Sequence, residues 1–203
     1  MHSAKTAKRS QNYDRIAKVY DLVDLFIPAA WRRKAAGLAC GRVLEAGIGT
    51  GLNLPFYSSC CTEIFGIDIS QGMLSRAEGR ASLCQAPVTL ELMDVQNLSS
   101  LAAGSFDYVV ATFLFCSVLD PLKGLRECRR VLKPGGRLVL LEHMGSETML
   151  LRQLMDWLNP LTVKLLGDHI NRNTVRLAGE AGFKVQTVEN LLGDIVRLVV
   201  AEP

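Results

Sequence analysis

The stretch Val43-Leu44-Glu45-Ala46-Gly47-Ile48-Gly49-Thr50-Gly51 constrains this chain more than any other. An apolar run meets three glycines at alternate positions. Glycine allows tight turns and close approaches that any Cβ would block. The pattern reads as a strand, a glycine-rich turn and the start of a helix, with amides left open to a ligand's polar groups. Seventeen residues after Gly51, the run Ile64-Phe65-Gly66-Ile67-Asp68 ends a second apolar strand on an acid. An acid there suits the two hydroxyls of a ribose. The glycine spacing is G-x-G-x-G and not the dinucleotide-type G-x-G-x-x-G.

Strands are expected at Arg42–Ala46, Glu63–Asp68, Val88–Met93, Phe106–Phe113, Arg137–His143, Phe183–Glu189 and Ile195–Ala201, and a helical stretch at Asn53–Tyr57. Ser70 reads as the N-cap of a helix Gln71–Arg80, and Asp120-Pro121 opens a helix Leu122–Leu132. Pro134-Gly135-Gly136 reads as a tight turn. Residues 150–166 carry helical spacing, with Pro160 kinking or splitting them, and Thr174–Ala181 is a last helix ended by Gly182. Alternating strands and helices predict a Rossmann-like, doubly wound α/β sheet of seven strands. The link 190–194 is too short for a parallel crossover, so the last strand is antiparallel to its predecessor.

With 203 residues, 49% of them hydrophobic, the chain can build one good core. No apolar run reaches the roughly 18 residues of a membrane span. Residues 1–12 are polar and basic without an apolar signal core, so no export is expected and the location reads as cytoplasmic. Six cysteines, none in a C-x-x-C pair and most in apolar settings, read as buried thiols of a reducing compartment. The three histidines are scattered, so no metal site is expected.

Charge is uneven. Residues 1–36 hold eight Lys/Arg against Asp14, Asp21 and Asp24, a local +5 within a net +3. They are read as a basic tail plus an amphipathic helix from Tyr13, with apolar residues at 13, 16, 17, 20, 23 and 27 and a break at Pro28. Trp31 beside Arg32-Arg33-Lys34 adds an aromatic anchor with cations. Two readings stand: a lid over a cofactor mouth, and a contact with an anionic membrane surface that would make the protein peripheral there. Residues 37–203 form the cofactor-binding domain.

Glu45-Ala46-Gly47-Ile48-Gly49-Thr50-Gly51 resembles the first motif of class I S-adenosylmethionine-dependent methyltransferases, and the resemblance runs over roughly residues 40–203. It implies that family's seven-stranded fold with a reversed terminal hairpin, and S-adenosylmethionine as cofactor. Gly47, Gly49 and Gly51 would let the backbone approach the amino-acid tail and ribose, and Asp68 would hold the ribose hydroxyls. Asp94 resembles the family acid that accepts from the adenine amino group, with Val95 offering an amide and Ile69 and Met73 packing on the ring. Glu45, Thr50 and Thr112 complete the cofactor set.

The run Thr112-Phe113-Leu114-Phe115-Cys116-Ser117-Val118 corresponds to the family's acceptor side. It is apolar and lacks the Asn/Asp-Pro-Pro-Tyr/Phe signature of many nucleic-acid methyltransferases, so no nucleic-acid partner is expected. Phe113, Phe115, Cys116 and His169 are the candidate acceptor pocket, and Phe113 or Phe115 could face a sulfonium. Methyl transfer is an in-line displacement that depends chiefly on placement. A neutral amine or a thiolate needs little acid–base help, and a ring carbon or hydroxyl wants a base. Tyr20, His143 and His169 are the candidate bases.

Tyr13-Asp14-Arg15-Ile16-Ala17-Lys18-Val19-Tyr20-Asp21 resembles the start of ubiquinone/menaquinone C-methyltransferases and of bacterial phosphatidylethanolamine N-methyltransferases. Leu114–Val118, Arg130–Gly136, Glu142-His143 and Gly167-Asp168 are similar to stretches of membrane-associated thiol S-methyltransferases. No long N-terminal anchor of the thiol-enzyme kind is expected. The acceptor is therefore expected to be a small hydrophobic or amphiphilic molecule or lipid, first a phospholipid amine headgroup, with a quinone ring carbon and a small thiol as alternatives. From other classes, a nicotinamide-dependent oxidoreductase would use Asp68 in a similar fold, and a non-catalytic S-adenosylmethionine-binding protein would lack an acceptor pocket. The glycine spacing and terminal hairpin disfavour the oxidoreductase. Oligomeric state is not legible.

Overall fold

The computed structural model describes residues 27–165 and 169–203. The helix expected from Tyr13, the tail before it, the candidate base Tyr20 and the pair Gly167-Asp168 lie outside the described residues.

Seven strands form one sheet: β1 (Gly41–Ala46), β2 (Cys61–Asp68), β3 (Val88–Leu92), β4 (Phe106–Thr112), β5 (Leu132–His143), β6 (Lys184–Leu192) and β7 (Val196–Glu202). Their order is β3-β2-β1-β4-β5-β7-β6. The first five are parallel, and β7 runs antiparallel to both β5 and β6. The described helices are α1 (Ala29–Gly37), α2 (Gln71–Arg80), α3 (Pro121–Val131), α4 (Met149–Leu165) and α5 (Thr174–Glu180).

Successive strand residues face opposite sides of a sheet, and the central strands here are apolar on both. Leu44, Val109, Leu138 and Val199 pack on one side with Leu125 of α3 and Ala178 of α5. Val43, Val110, Val139 and Leu198 pack on the other with Ala35 and Ala36 of α1 and Leu74 and Ala77 of α2. Helix starts are set locally: Ser70 Oγ accepts the Met73 amide at 3.1 Å, and Asp120 Oδ1 accepts the Lys123 amide at 3.0 Å.

Four expectations change. No α-helix follows the glycine-rich loop; Pro55 sits in a single 3-10 turn, Leu54–Phe56. The Pro134-Gly135-Gly136 turn lies inside β5, where the ladder to β4 skips from Phe106↔Leu132 to Tyr108↔Arg137 and the intervening residues bulge out. Helix α4 runs unsplit through Pro160. The cysteines are not uniformly buried, since Cys60 is exposed and Cys40 and Cys84 are half-buried.

The basic cluster also changes meaning. Pro28 precedes α1, which packs against β4, β5 and the 3-10 turn, so a boundary at residue 36 would cut an element of the body. Trp31 packs partly buried against the core, and Arg32 is buried. Arg33 lies over the Phe56 ring at 5.4 Å, and Lys34 pairs with Glu189 of β6. Arg32 is thus turned into the fold, while Arg33 and Lys34 stay on the surface.

Candidate functional site

Parallel strands present their C-terminal ends on one side of the sheet, where ligands of open α/β folds bind. There an open cleft lies over the strand ends. Its wall is built by the glycine-rich loop, the ends of β2 and β4, the segment after β3, residues 117–119 and Arg32 of α1.

The loop is held before any ligand arrives. Asp68 Oδ2 accepts the Gly49 amide at 3.0 Å, and Asp68 Oδ1 accepts the Ser70 amide at 2.9 Å. Gly49 has φ +57 with nothing near its missing Cβ, so its bare face is open space. Gly51 is constrained differently: at φ +82, a Cβ would lie 3.0 Å from the Ala77 backbone. Gly51 therefore seats the loop on α2 and does not line the cavity.

Asp94 accepts the Gln96 amide and both its carboxylate oxygens accept the Gln96 side chain, each at 2.9 Å. Gln96 Oε1 in turn accepts the Asp120 amide at 2.8 Å, which ties this wall to the start of α3. Ile69, Met73, Val95, Thr50 and Thr112 line the cavity alongside Gly47, Asp68 and Asp94.

Glu45 is fully buried behind the cavity and does not line it. Its Oε1 accepts the Asn53 amide at 2.7 Å. Asn53 also donates to Thr112 Oγ1 at 3.1 Å, and Arg32 donates to Asn53 Oδ1 and Thr112 Oγ1 at 3.2 Å each. Burial pushes the Glu45 carboxyl up to about 7, against the opposing pull of Tyr57, Asn53 and the Arg32 charge. Between the ordinary value near 4.5 and about 7, the folded state holds this proton more tightly than the unfolded chain. Stability from this group is therefore lost as pH rises through that window, by about 3 kcal/mol in all. Glu45→Gln keeps an acceptor for Asn53 and removes the charge. Its melting temperature should exceed that of the natural protein at pH 8 by several degrees, with the gap closing near pH 5. An offset independent of pH would refute the assignment.

The acceptor candidates separate. Phe113 lines the cavity with φ +53, a left-handed conformation that costs a bulky residue strain. Its ring lies between the Arg32 guanidinium at 5.6 Å and the His143 ring at 4.6 Å. Phe115 and Cys116 are not brought to the cavity. Glu142 Oε1 accepts the Leu114 and Phe115 amides at 2.9 and 2.8 Å, and the turn so formed places Phe115 wholly in the core. His143 is behind Phe113, where burial lowers its pKa. His169 donates its amide to the Cys116 carbonyl at 2.9 Å and does not line the cavity. Leu114, Ser117, Val118 and Leu119 supply that wall instead. Leu114, Ser117 and Val118 belong to the run expected on the acceptor side, whereas Arg32, Gln96 and Leu119 were not foreseen; Arg32 was visible only as part of a basic cluster.

A family model described as a methyltransferase domain matches residues 44–140. The chain is 36% identical over 143 residues to a phosphatidylethanolamine N-methyltransferase of Cereibacter sphaeroides, covering 68% of this chain and 69% of that one. It is 34% identical over 158 residues to thiol S-methyltransferase TMT1B of Rattus norvegicus, covering 72% and 62%. It is 36% identical over 143 residues to the ubiquinone/menaquinone biosynthesis C-methyltransferase UbiE of Geobacter sp. (strain M21), covering 64% and 60%. The chain thus spans less than two thirds of the last two. Among solved structures, it is similar in fold to an S-adenosylmethionine-dependent methyltransferase from Thermotoga maritima, with a TM-score of 0.67, 22% identity, and 94% and 97% of the two chains covered.

Proposed function

The chain belongs to the class I S-adenosylmethionine-dependent methyltransferases, and from that premise we propose that it methylates the amine headgroup of a phospholipid. The three relatives act, by their names, on an amine, a thiol and a carbon, so the acceptor has to be argued from this chain's own surface.

The residues present fit the cofactor. Asp68 is aimed by two amides at the end of β2, Asp94 by Gln96 beyond β3, and Arg32 places a cation in the wall. In this reading Asp68 holds the ribose hydroxyls, Asp94 accepts from the adenine amine, Arg32 faces the carboxylate of the amino-acid tail, and Ile69 and Met73 pack on the adenine. When bound, S-adenosylmethionine supplies an electrophilic methyl group on a sulfonium. The nicotinamide-dependent alternative falls with the family match. Asp68→Ala should cost about 1.5–3 kcal/mol in S-adenosylhomocysteine binding by calorimetry. Unchanged affinity would remove Asp68 from the site.

One observation carries the acceptor. On α4, Leu150, Leu154, Trp157 and Leu161 are 74%, 50%, 76% and 54% exposed. Their spacing puts all four on one stripe of the helix, the form of an interfacial helix with an aromatic anchor. The opposite face of α4 is tied toward the cavity wall. Asn159 and Asp156 bind the 170–171 segment, and Arg172 donates to the Phe115 and Val118 carbonyls at 2.5 and 2.7 Å. No described helix is long and apolar enough to cross a membrane. An exposed apolar stripe on a helix tied to the cavity wall suits an amphiphile taken from a bilayer. The ionisable groups lining the cavity among the described residues are Arg32, Asp68 and Asp94, and no histidine joins them.

The test is methyl transfer to phosphatidylethanolamine vesicles, read by mass spectrometry of the headgroup. Methylated headgroups are expected, with a rate at least tenfold lower in Leu154→Gln/Trp157→Gln and unchanged S-adenosylhomocysteine affinity. Turnover of a quinone or a small thiol, with none on vesicles, would replace the phospholipid reading.

A further inference from the structure

Away from the cavity, at the opposite end of the sheet, two thiols meet. Gly41 and Cys61 are partners in the parallel β1–β2 ladder. Cys40 and Cys60, one residue earlier in each chain segment, therefore face each other where the ladder begins. Adjoining strands lie about 4.8 Å apart, within the Cα separation that a disulfide spans. The Gly41 amide donates to the Cys60 carbonyl at 2.9 Å, and the Cys40 thiol donates to the same carbonyl at 3.3 Å. The Cys60 thiol itself donates to the Ala39 carbonyl at 3.5 Å. Cys60 is exposed and has the Ser58 hydroxyl 2.9 Å from its Sγ, while Cys40 is half-buried.

We propose that Cys40 and Cys60 are a redox-modification site, closing to a reversible disulfide with a hydroperoxide as oxidant.

The two sulfurs have different parts. The neighbouring Cys40 and Ser58 side chains hold the Cys60 thiol below its ordinary pKa, whereas Cys60 beside it raises Cys40. The Cys60 thiolate attacks a peroxide oxygen, the O–O bond breaks, and the departing hydroxide takes a proton to leave as water (or as an alcohol from an alkyl hydroperoxide). Cys60 is then a sulfenic acid. Cys40 attacks that sulfur, the S–S bond forms, and the sulfenic oxygen leaves as water with the Cys40 proton. Two thiols lose two electrons and two protons, and one peroxide is reduced. The neighbouring Cys61 does not compete, because it is buried with its thiol on the Ala39 carbonyl and burial pushes it up to about 11. The disulfide closes a ring over residues 40–60, which contains β1 and the whole glycine-rich loop. Cross-linking a ring of that length restricts the unfolded chain, so oxidation should raise the melting temperature by several degrees without occupying the cavity.

The experiment treats the full-length reduced protein with stoichiometric hydrogen peroxide and maps its peptides by mass spectrometry. A Cys40–Cys60 linked peptide, 2 Da lighter than the two thiols together and released by dithiothreitol, is expected, along with a higher melting temperature. Cys61→Ser should leave the link intact. In Cys40→Ser, Cys60 should stop at the sulfenic acid and be trapped by dimedone. Both thiols staying reduced while other cysteines oxidise would overturn the proposal. So would linkage of Cys60 to Cys61 or Cys84, or a Cys40–Cys60 link that forms only in urea.

Discussion

Replacing Arg32 by methionine should weaken S-adenosylhomocysteine binding by about 30- to 300-fold, which is about 2–3.5 kcal/mol of charge-assisted hydrogen bonding. The expectation follows from where α1 puts the side chain. Arg32 is only 8% exposed, yet it reaches the cavity wall and donates to both Asn53 and Thr112. Losing it removes the proposed partner of the cofactor's carboxylate and also frees two residues that shape the wall. Methionine keeps most of the volume, so a packing defect is not the expected cause. Arg32→Lys should fall between the two, because a point charge cannot reproduce the planar fork of a guanidinium. The measurement is calorimetric titration with melting temperature as a control. Full affinity in Arg32→Met would remove Arg32 from the cofactor site and leave it a packing role only.

Glu142→Ala should lower stability by about 3–5 kcal/mol, or the melting temperature by about 10 °C. Glu142 is wholly buried, and one of its oxygens accepts two successive amides that turn the chain after β4. Alanine would leave those amides buried without their acceptor, and an unmade buried hydrogen bond costs more than a made one contributes. Glu142→Gln keeps an acceptor oxygen at that position and should lose less than half as much. Thermal unfolding distinguishes the cases. An alanine variant melting within 2 °C of the natural protein would show that the amides find other acceptors.

The candidate site was legible in part. Asp68 could be placed because it ends an apolar strand, which is readable from a run of residues without knowing their neighbours, and Asp94, two residues beyond β3, through the family resemblance. Phe113, Phe115 and Cys116 are adjacent in sequence, yet only Phe113 reaches the cavity. No local pattern distinguishes them, since the turn that separates them is held by a carboxylate 27 and 28 residues away. Gln96 follows the same logic: it holds Asp94 and reaches the start of α3, 24 residues on.

What the chain determined by itself is local and periodic. Short continuous apolar runs set which elements are strands and that both sheet faces are covered. Ser70 and Asp120 set where two helices begin, and a short link made the last two strands antiparallel. Such features depend on residues within a turn or two, where backbone geometry and hydrogen bonding leave few choices. The tertiary structure decided which side chains share a space. It turned Arg32 from one member of a surface-like basic cluster into a cavity wall, buried Glu45 behind the site, and opposed Cys40 to Cys60 across two strands. Periodicity states which face a residue occupies, and only the packing of distant elements states what it meets there.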